Sequence, residues 1–231
     1  MAFFYDFHIH SCLSPCADND MTPGNVCGMA RLKGLDAIAI TDHNTARNLR
    51  AFSVAAKRHR LLLLPAMELC SQEEVHILAY FPTVDAAEEM GAHCLRLLAG
   101  KRNRPDFYGE QTMVNDRDEP IGTEGALLIG SLDIALHDLN ALVRSLGGVP
   151  VPAHIARGNG LVTMLGFIPP GDNYRTVEAP LGTVPHDTYR VLHSSDAHQL
   201  GAISEAEHAL PCEATVLAIL DWMRGDTNPV A

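Results

Sequence analysis

Apolar and polar positions along this chain alternate between two periods. Residues 3–10 form an apolar, aromatic run that turns abruptly polar and reads as a strand. Residues 23–35 carry the helical period, with Thr22 placed as N-cap and Pro23 at the first helical position. Residues 36–40 are a short apolar strand running into Thr41-Asp42-His43. Asn44 stands where a cap would, ahead of a helix to about His59 with Leu49, Phe52 and Ala56 on one face. Segments 60–69 and 75–81 read as strands, and 84–98 as a helix. From 100 to 123 the pattern breaks into polar, Gly- and Pro-punctuated sequence, with a turn at Asn115-Asp116-Arg117-Asp118. This stretch is read as an insertion near the active-site mouth, a hairpin being one form it could take. The helical period returns at Leu132, Leu136, Leu139, Val143 and Leu146, with Ser131 as the expected cap and Gly147-Gly148 as the stop. Apolar strands then end near His154, Glu178 and Ser194, and Val216, Ile219, Leu220 and Met223 give a last amphipathic helix. Strand and helix alternate, which predicts an α/β fold with a parallel sheet or barrel. With no repeat and no linker, residues 1–231 are expected to form one domain.

Composition narrows the function classes. The 231 residues are 47% hydrophobic and 19% charged, enough for a packed core. A net charge of −11 repels polyanions, so long nucleic acid is an unexpected partner, while a local phosphate pocket backed by cations is not excluded. No apolar run reaches the roughly 18 residues of a membrane span, and the segment MAFFYDFHIH lacks the basic and small-residue features of a signal peptide. Six cysteines, at 12, 16, 27, 70, 94 and 212, form no CxxC and are read as reduced thiols, consistent with a cytoplasmic protein.

The anomaly is histidine: twelve, several of them beside Asp or Glu at the ends of apolar runs. In α/β folds chemistry gathers at the carboxyl ends of strands. His8 and His10 close the first strand, Asp42 and His43 follow the second, and Glu68 ends the third. His76 lies early in the fourth, His154 ends a later one, and Asp196 and His198 follow the last. Residues two apart on a strand share a face, so His8 and His10 can address one cation; Asp196 and His198 repeat the spacing. Imidazole with carboxylate is a ligand set for zinc, iron or manganese.

These segments resemble the PHP (polymerase and histidinol phosphatase) domain, in family order. Its first motif appears as Asp6-Phe7-His8-Ile9-His10-Ser11, followed by Asp18 and Thr22-Pro23 after an expansion at Pro15-Cys16-Ala17. The others are Ile40-Thr41-Asp42-His43-Asn44, Ala66-Met67-Glu68-Leu69-Cys70, His76 to Phe81, Pro152-Ala153-His154 and Ser194-Ser195-Asp196-Ala197-His198. The resemblance is to short, stand-alone bacterial members. It implies a distorted (β/α)7 TIM-like barrel with two or three divalent metal ions (Zn, Mn or Fe). By the same resemblance His8, His10, Glu68 and Asp196 would hold one ion, Asp18, His43 and His198 a second, and Glu68, His76 and His154 a third. It implies hydrolysis of a small phosphomonoester by a hydroxide bridging the metals, with Asp196 also moving a proton. Arg157 is the expected phosphate contact, because guanidinium forks to phosphate oxygens. The alternatives are a phosphodiesterase or exonuclease on short nucleic acids, a non-catalytic metal-binding interaction domain and, by analogy of fold alone, a C–N hydrolase.

Other residues are read more plainly. Asp42 is expected to fix the backbone of its motif, and Glu178 to support the site or the fold. Cys12 and Cys16 are assigned to packing or to support of the ligands, thiol ligation being the lesser reading, and Cys70 is expected to be buried. His193 is assigned to the core, with lining of the pocket as the alternative. Gly158-Asn159-Gly160 reads as a turn, residues 106–111 as a stretch able to fold over the mouth, and His59, His93, His137, His186 and His208 as surface or core. The oligomeric state is not legible.

Overall fold

The computed structural model describes residues 2–98, 100–180 and 188–226; His186 lies outside them. The chain runs β1 (Phe3–Ile9), α1 (Pro23–Leu32), β2 (Ala37–Ile40), α2 (Leu49–His59), β3 (Leu62–Cys70), β4 (His76–Tyr80), α3 (Val84–Leu97), α4 (Pro105–Tyr108), β5 (Thr112–Val114), β6 (Pro120–Thr123), α5 (Leu136–Ser145), β7 (Val149–Pro152), α6 (Leu161–Leu165), β8 (Thr176–Glu178), β9 (Arg190–Leu192), β10 (Ala209–Leu210) and α7 (Val216–Arg224). The main sheet has the order β10-β1-β2-β3-β4-β7, and β8 and β9 form a parallel pair. The chain then returns to its beginning. Ala197 bridges Ile9 in parallel and β10 pairs with β1, giving a curled, half-barrel α/β sheet with β10 at one edge and β7 at the other.

Strand direction is where the structure departs from the expected parallel sheet. β1, β2 and β3 are parallel, but β4 runs antiparallel to both β3 and β7. The reason is length: Ser71 to Val75 joins β3 to β4, far too little chain for a parallel crossover. The reversal matters for the site. It puts the start of β4, and so His76, at the same edge as the end of β3.

The sheet buries apolar side chains on both faces. Phe3, Tyr5, Phe7, Ala39, Leu64, Leu78, Tyr80 and Val151 face α7, whose Ile219, Leu220 and Met223 fill the inner side. Ile38, Ile40, Met67, Leu69 and Ile77 face the helical layer, with Phe52 of α2, Met90 of α3 and Leu139 of α5. β1 slips register against β2 between Asp6 and Ile9, and Ile9 accordingly joins the helical side while Phe7 faces the inner one.

Two expected caps move. α2 begins at Leu49 after Asn48, not at Asn44. Asn44 has a left-handed backbone (φ 52°), and its amide donates to the carbonyls of Leu128 and Gly130 while its oxygen accepts from Cys70 N. It staples strand end to loop instead of starting a helix. α5 begins at Leu136, whose N–H is received by the Glu73 carboxylate; Ser131 is held by Lys101. In the 100–123 stretch, β5 and β6 form an antiparallel hairpin preceded by α4. Thr112 N donates to Cys12 O at 2.9 Å, fastening the hairpin to the loop after β1.

Candidate metal centre

Six imidazoles and two carboxylates meet at one edge of the sheet. His8 and His10 come from β1 and the residue after it, Glu68 from β3, His76 from the start of β4, and His154 from just beyond β7. Asp196 and His198 follow β9, and His43 follows β2, bridged to Glu68. His8, His10 and Glu68 are almost wholly buried.

The back wall is fixed by hydrogen bonds that decide which nitrogens carry protons. His8 Nδ1 lies 3.0 Å from both oxygens of Glu178, which can only accept, so the proton sits on Nδ1. Ser14 Oγ donates to Asp42 Oδ1 (2.7 Å), so it accepts from His10 Nδ1 at 3.0 Å. In their neutral forms both rings therefore turn bare Nε2 lone pairs inward. Those two nitrogens are 3.2 Å apart, and Asp196 Oδ1 is 3.2 Å from one and 3.3 Å from the other. Glu68 adds its oxygens at 3.6 and 3.4 Å. Lone pairs converging in a buried space demand positive charge, supplied by a cation or by protons. On the far side of Glu68, Oε1 is 2.9 Å from His76 Nδ1 and 3.1 Å from His154 Nε2.

The titration behaviour of the wall follows from the same crowding. Burial alone would raise the Glu68 pKa, but His76, His8 and His43 outweigh it and hold Glu68 well below the usual carboxylate range. Burial opposes charge on His8, yet Glu178 and Glu68 raise its pKa well above the usual value. His76, against the same burial, is pushed up to about 10 by Glu68. His43 goes the other way: burial lowers it, and His10, His76 and His198 reinforce that against Glu68. Its Nδ1 is buried without a hydrogen bond, because Glu68 Oε2, although 3.1 Å away, lies outside bonding direction. An orphaned ring nitrogen beside a carboxylate, among other imidazoles, fits a divalent ion and fits poorly with any purely structural use.

Three overlapping groups have ligand atoms close enough to share an ion: His8, His10 and Glu68; His43, Glu68 and His76; and His10, Cys16, His43 and His198. Asp18 is in none of them. It is exposed on the rim, donates its N–H to His198 O at 2.9 Å, and lines an open depression with Cys16, Asp196 and His198. Cys16, assigned above to packing or support, is exposed there too, because the expansion at 15–17 is a surface turn. Arg157 is exposed at the mouth and donates to Asp196 Oδ2 at 2.8 Å.

Two candidate ligand positions carry left-handed backbones, His154 (φ 25°) and Asp196 (φ 55°). Such conformations cost about 1–3 kcal/mol each and persist where surroundings impose them. Here His154 N donates to Glu178 Oε2, and the loop it opens returns through Asn159, whose carbonyl accepts from His76 N. Residues 158–160 are thus the expected turn, and they tie two imidazoles together.

Asp42 holds the first loop: it accepts from Ser11 N, Ser11 Oγ and Ser14 Oγ. The Asp6 carboxylate does the same for the last, accepting from Ser195 N, Ser195 Oγ and Ser204 N. Glu178 and Ser14 are the supports least visible in sequence. Glu178 shows only as an acid ending an apolar run, and Ser14 only as the serine ahead of the expansion at 15–17, with nothing to mark its bond to His10. His193 is half-buried and lines a cleft of about 280 Å³ with His154, Arg157, Glu178, Ser194 and His208. The pocket-lining alternative is therefore the one the structure adopts. His137 is a surface residue bonded to Asp172. Residues 106–111 pack against the first loop at Pro15, where Gly109 (φ 104°) leaves no room for a side chain.

Among known families, the PHP domain matches residues 6–123. No curated protein matches the chain. Among solved structures, the lesion-specific endonuclease PfuEndoQ from Pyrococcus furiosus is similar with a TM-score of 0.68 and 16% identity, over 99% of this chain and 57% of that one. The chain thus spans little more than half of that enzyme. A proposed metal-dependent phosphoesterase from Bifidobacterium adolescentis is similar at 0.60 and 20% identity, over 88% and 91% of the two chains. An amidohydrolase from Chromobacterium violaceum with bound sulfate gives 0.58 and 18%, over 89% and 90%. At these identities the likeness is one of fold. The motifs, their convergence and the family match lead to one conclusion: this chain belongs to the PHP domain family.

Proposed function

We propose that the chain hydrolyses a small phosphomonoester in the pit described above, with two or three divalent ions (Zn, Mn or Fe) held by His8, His10, Asp18, His43, Glu68, His76, His154, Asp196 and His198. The observation that carries this reading is the inward convergence of the His8 and His10 lone pairs on Asp196 and Glu68, far from any arrangement a neutral core would tolerate. Ions bound there supply Lewis acidity and lower the pKa of water from 15.7 to about 7.

The chain's own side chains do the rest. Arg157 is exposed and tethered only at its tip, so its guanidinium can leave Asp196 Oδ2 for a phosphate oxygen. Asp196 is held ionised: burial opposes this, but His10 and His8 keep its pKa below the usual carboxylate range. It therefore carries no proton to give, and the same depression makes it a weak base. Glu178 keeps the His8 proton on Nδ1 and so keeps Nε2 free. The neighbouring cleft, lined by His193 and His208, has room for a small alcohol portion. Net charge −11 favours such a substrate over a long polyanion.

A second reading is a phosphodiesterase on short nucleic acids, supported by the fold likeness to an endonuclease over 99% of this chain. Chelated protein resupplied with Mn, Fe or Zn, assayed on a phosphomonoester panel and on oligonucleotide ladders with and without an abasic position, separates the two. Phosphate release from monoesters supports the first reading, and oligonucleotide shortening alone supports the second. Turnover of neither above chelated controls returns the site to the non-catalytic alternative.

A further inference from the structure

The family resemblance supplies Asp18 as the carboxylate partner of His43 and His198, yet the residue whose ligand atom stands with theirs is Cys16. Its Sγ and the ring nitrogens of His10, His43 and His198 all lie within 4.8 Å of one another. A tetrahedral zinc ion sets its ligand atoms about 3.3–3.8 Å apart, so the group stands within roughly 1–1.5 Å of that spacing. One further observation points to a ligand beside this group: His43 Nδ1 is buried with no hydrogen bond among the described residues, 3.1 Å from Glu68 Oε2. Cys16 is also held in position by backbone: Ser14 N donates to Ser11 O, Ala17 N to Ser14 O and Asp18 N to His198 O, and Gly109 presses on Pro15 from outside. A turn inserted in the first loop, and clamped from both sides, presents a sulfur to three imidazoles.

We propose that Cys16 is a ligand of the ion that the resemblance gives to His43 and His198, its sulfur standing in place of Asp18, which lies beside it on the rim; His10, whose one free lone pair faces Asp196 and Glu68, borders the site. The inference rests on the metal-centre reading above and sharpens it. A thiolate is a soft donor that favours zinc or cobalt over manganese and magnesium. Binding transfers the thiol proton to solvent and forms one sulfur–metal bond, with no change of oxidation state. The pit would then be chemically uneven, with hard nitrogen and oxygen ligands around Glu68 and a softer position at the mouth.

The test is cobalt(II) titration of the full-length protein after chelation, read by near-ultraviolet absorption for a thiolate-to-cobalt band and by metal analysis for bound cobalt. The expected result is a band that saturates with the wild type and Asp18→Asn, is lost in Cys16→Ser, and is accompanied by at least a tenfold weaker affinity for one ion. Circular dichroism checks that Cys16→Ser is folded. Zinc should also protect Cys16, but not the half-exposed Cys212, from alkylation followed by peptide mass spectrometry. Bound cobalt without the band, or a band that survives Cys16→Ser, overturns the thiolate and leaves the metal centre standing. No bound cobalt at all overturns both.

Discussion

His8 and Arg157 both reach Asp196, one from the back wall of the pit and one from its rim, and they are held in opposite ways. His8 is fully buried, with Nδ1 fixed by Glu178 and Nε2 facing Asp196 and Glu68. Arg157 is more than half exposed, and only its guanidinium tip is engaged, by the same Asp196. The wall is over-determined: His8 and His10, whose Nε2 atoms face inward, are each aimed by a second bond on the other side of the ring. The rim is less determined at Arg157, whose half-exposed side chain ends on Asp196. Geometry that must be exact to bind an ion is built on strand ends, and contacts that adapt to a substrate are left where side chains can move.

That contrast predicts graded effects. Glu68→Ala should be the most damaging change, because it removes the one carboxylate facing His8, His10, His43, His76 and His154. Loss of a partner from a buried charged network costs about 3–5 kcal/mol. Denaturant unfolding and metal analysis should show both a less stable and a metal-poor protein. A stable, fully loaded Glu68→Ala would break the distinction between wall and rim. Asp196→Asn should cost about 100- to 1,000-fold in turnover, with a smaller loss of stability than Glu68→Ala because Asp196 keeps some exposure where Glu68 has almost none; phosphate-release kinetics and thermal melts on one preparation check this. Glu178→Gln should weaken metal affinity about 10- to 100-fold by freeing the His8 ring, as support residues of metal ligands do. Competition with a chromophoric chelator measures it, and an unchanged affinity would mean the wall is less constrained than its hydrogen bonds suggest. Arg157→Ala should be mildest, raising KM about tenfold with kcat and melting temperature little changed. A drop in kcat instead would move Arg157 from binding into the chemistry.

The same contrast explains what could be read from the sequence. Strand-end histidines and acids announce themselves by interrupting apolar runs, and His8, His10, Glu68, His154 and Asp196 do converge. His76 is visible by motif, but its role depends on strand reversal, which only the short 71–75 connection hints at. Asn44 and Ser131 look like caps because capping chemistry and loop-tying chemistry use the same side chains. The Glu178 contact to His8 spans 170 positions, and nothing local encodes it. Cys16 is obscured by its neighbours: one turn's geometry decides whether sulfur or carboxylate faces the imidazoles.

The bridge between Ile9 and Ala197 joins the two ends of the described chain, and the pit lies across that seam. An ion held, as proposed, by His8 and Asp196 would therefore recognise only a polypeptide in which this seam has formed. Its binding free energy would be added to formation of the seam and withheld from any partly assembled species. Metal supply would then set the lifetime of the closed molecule as well as its activity, and starvation for metal should open the seam before it loosens α1, α2 or α3.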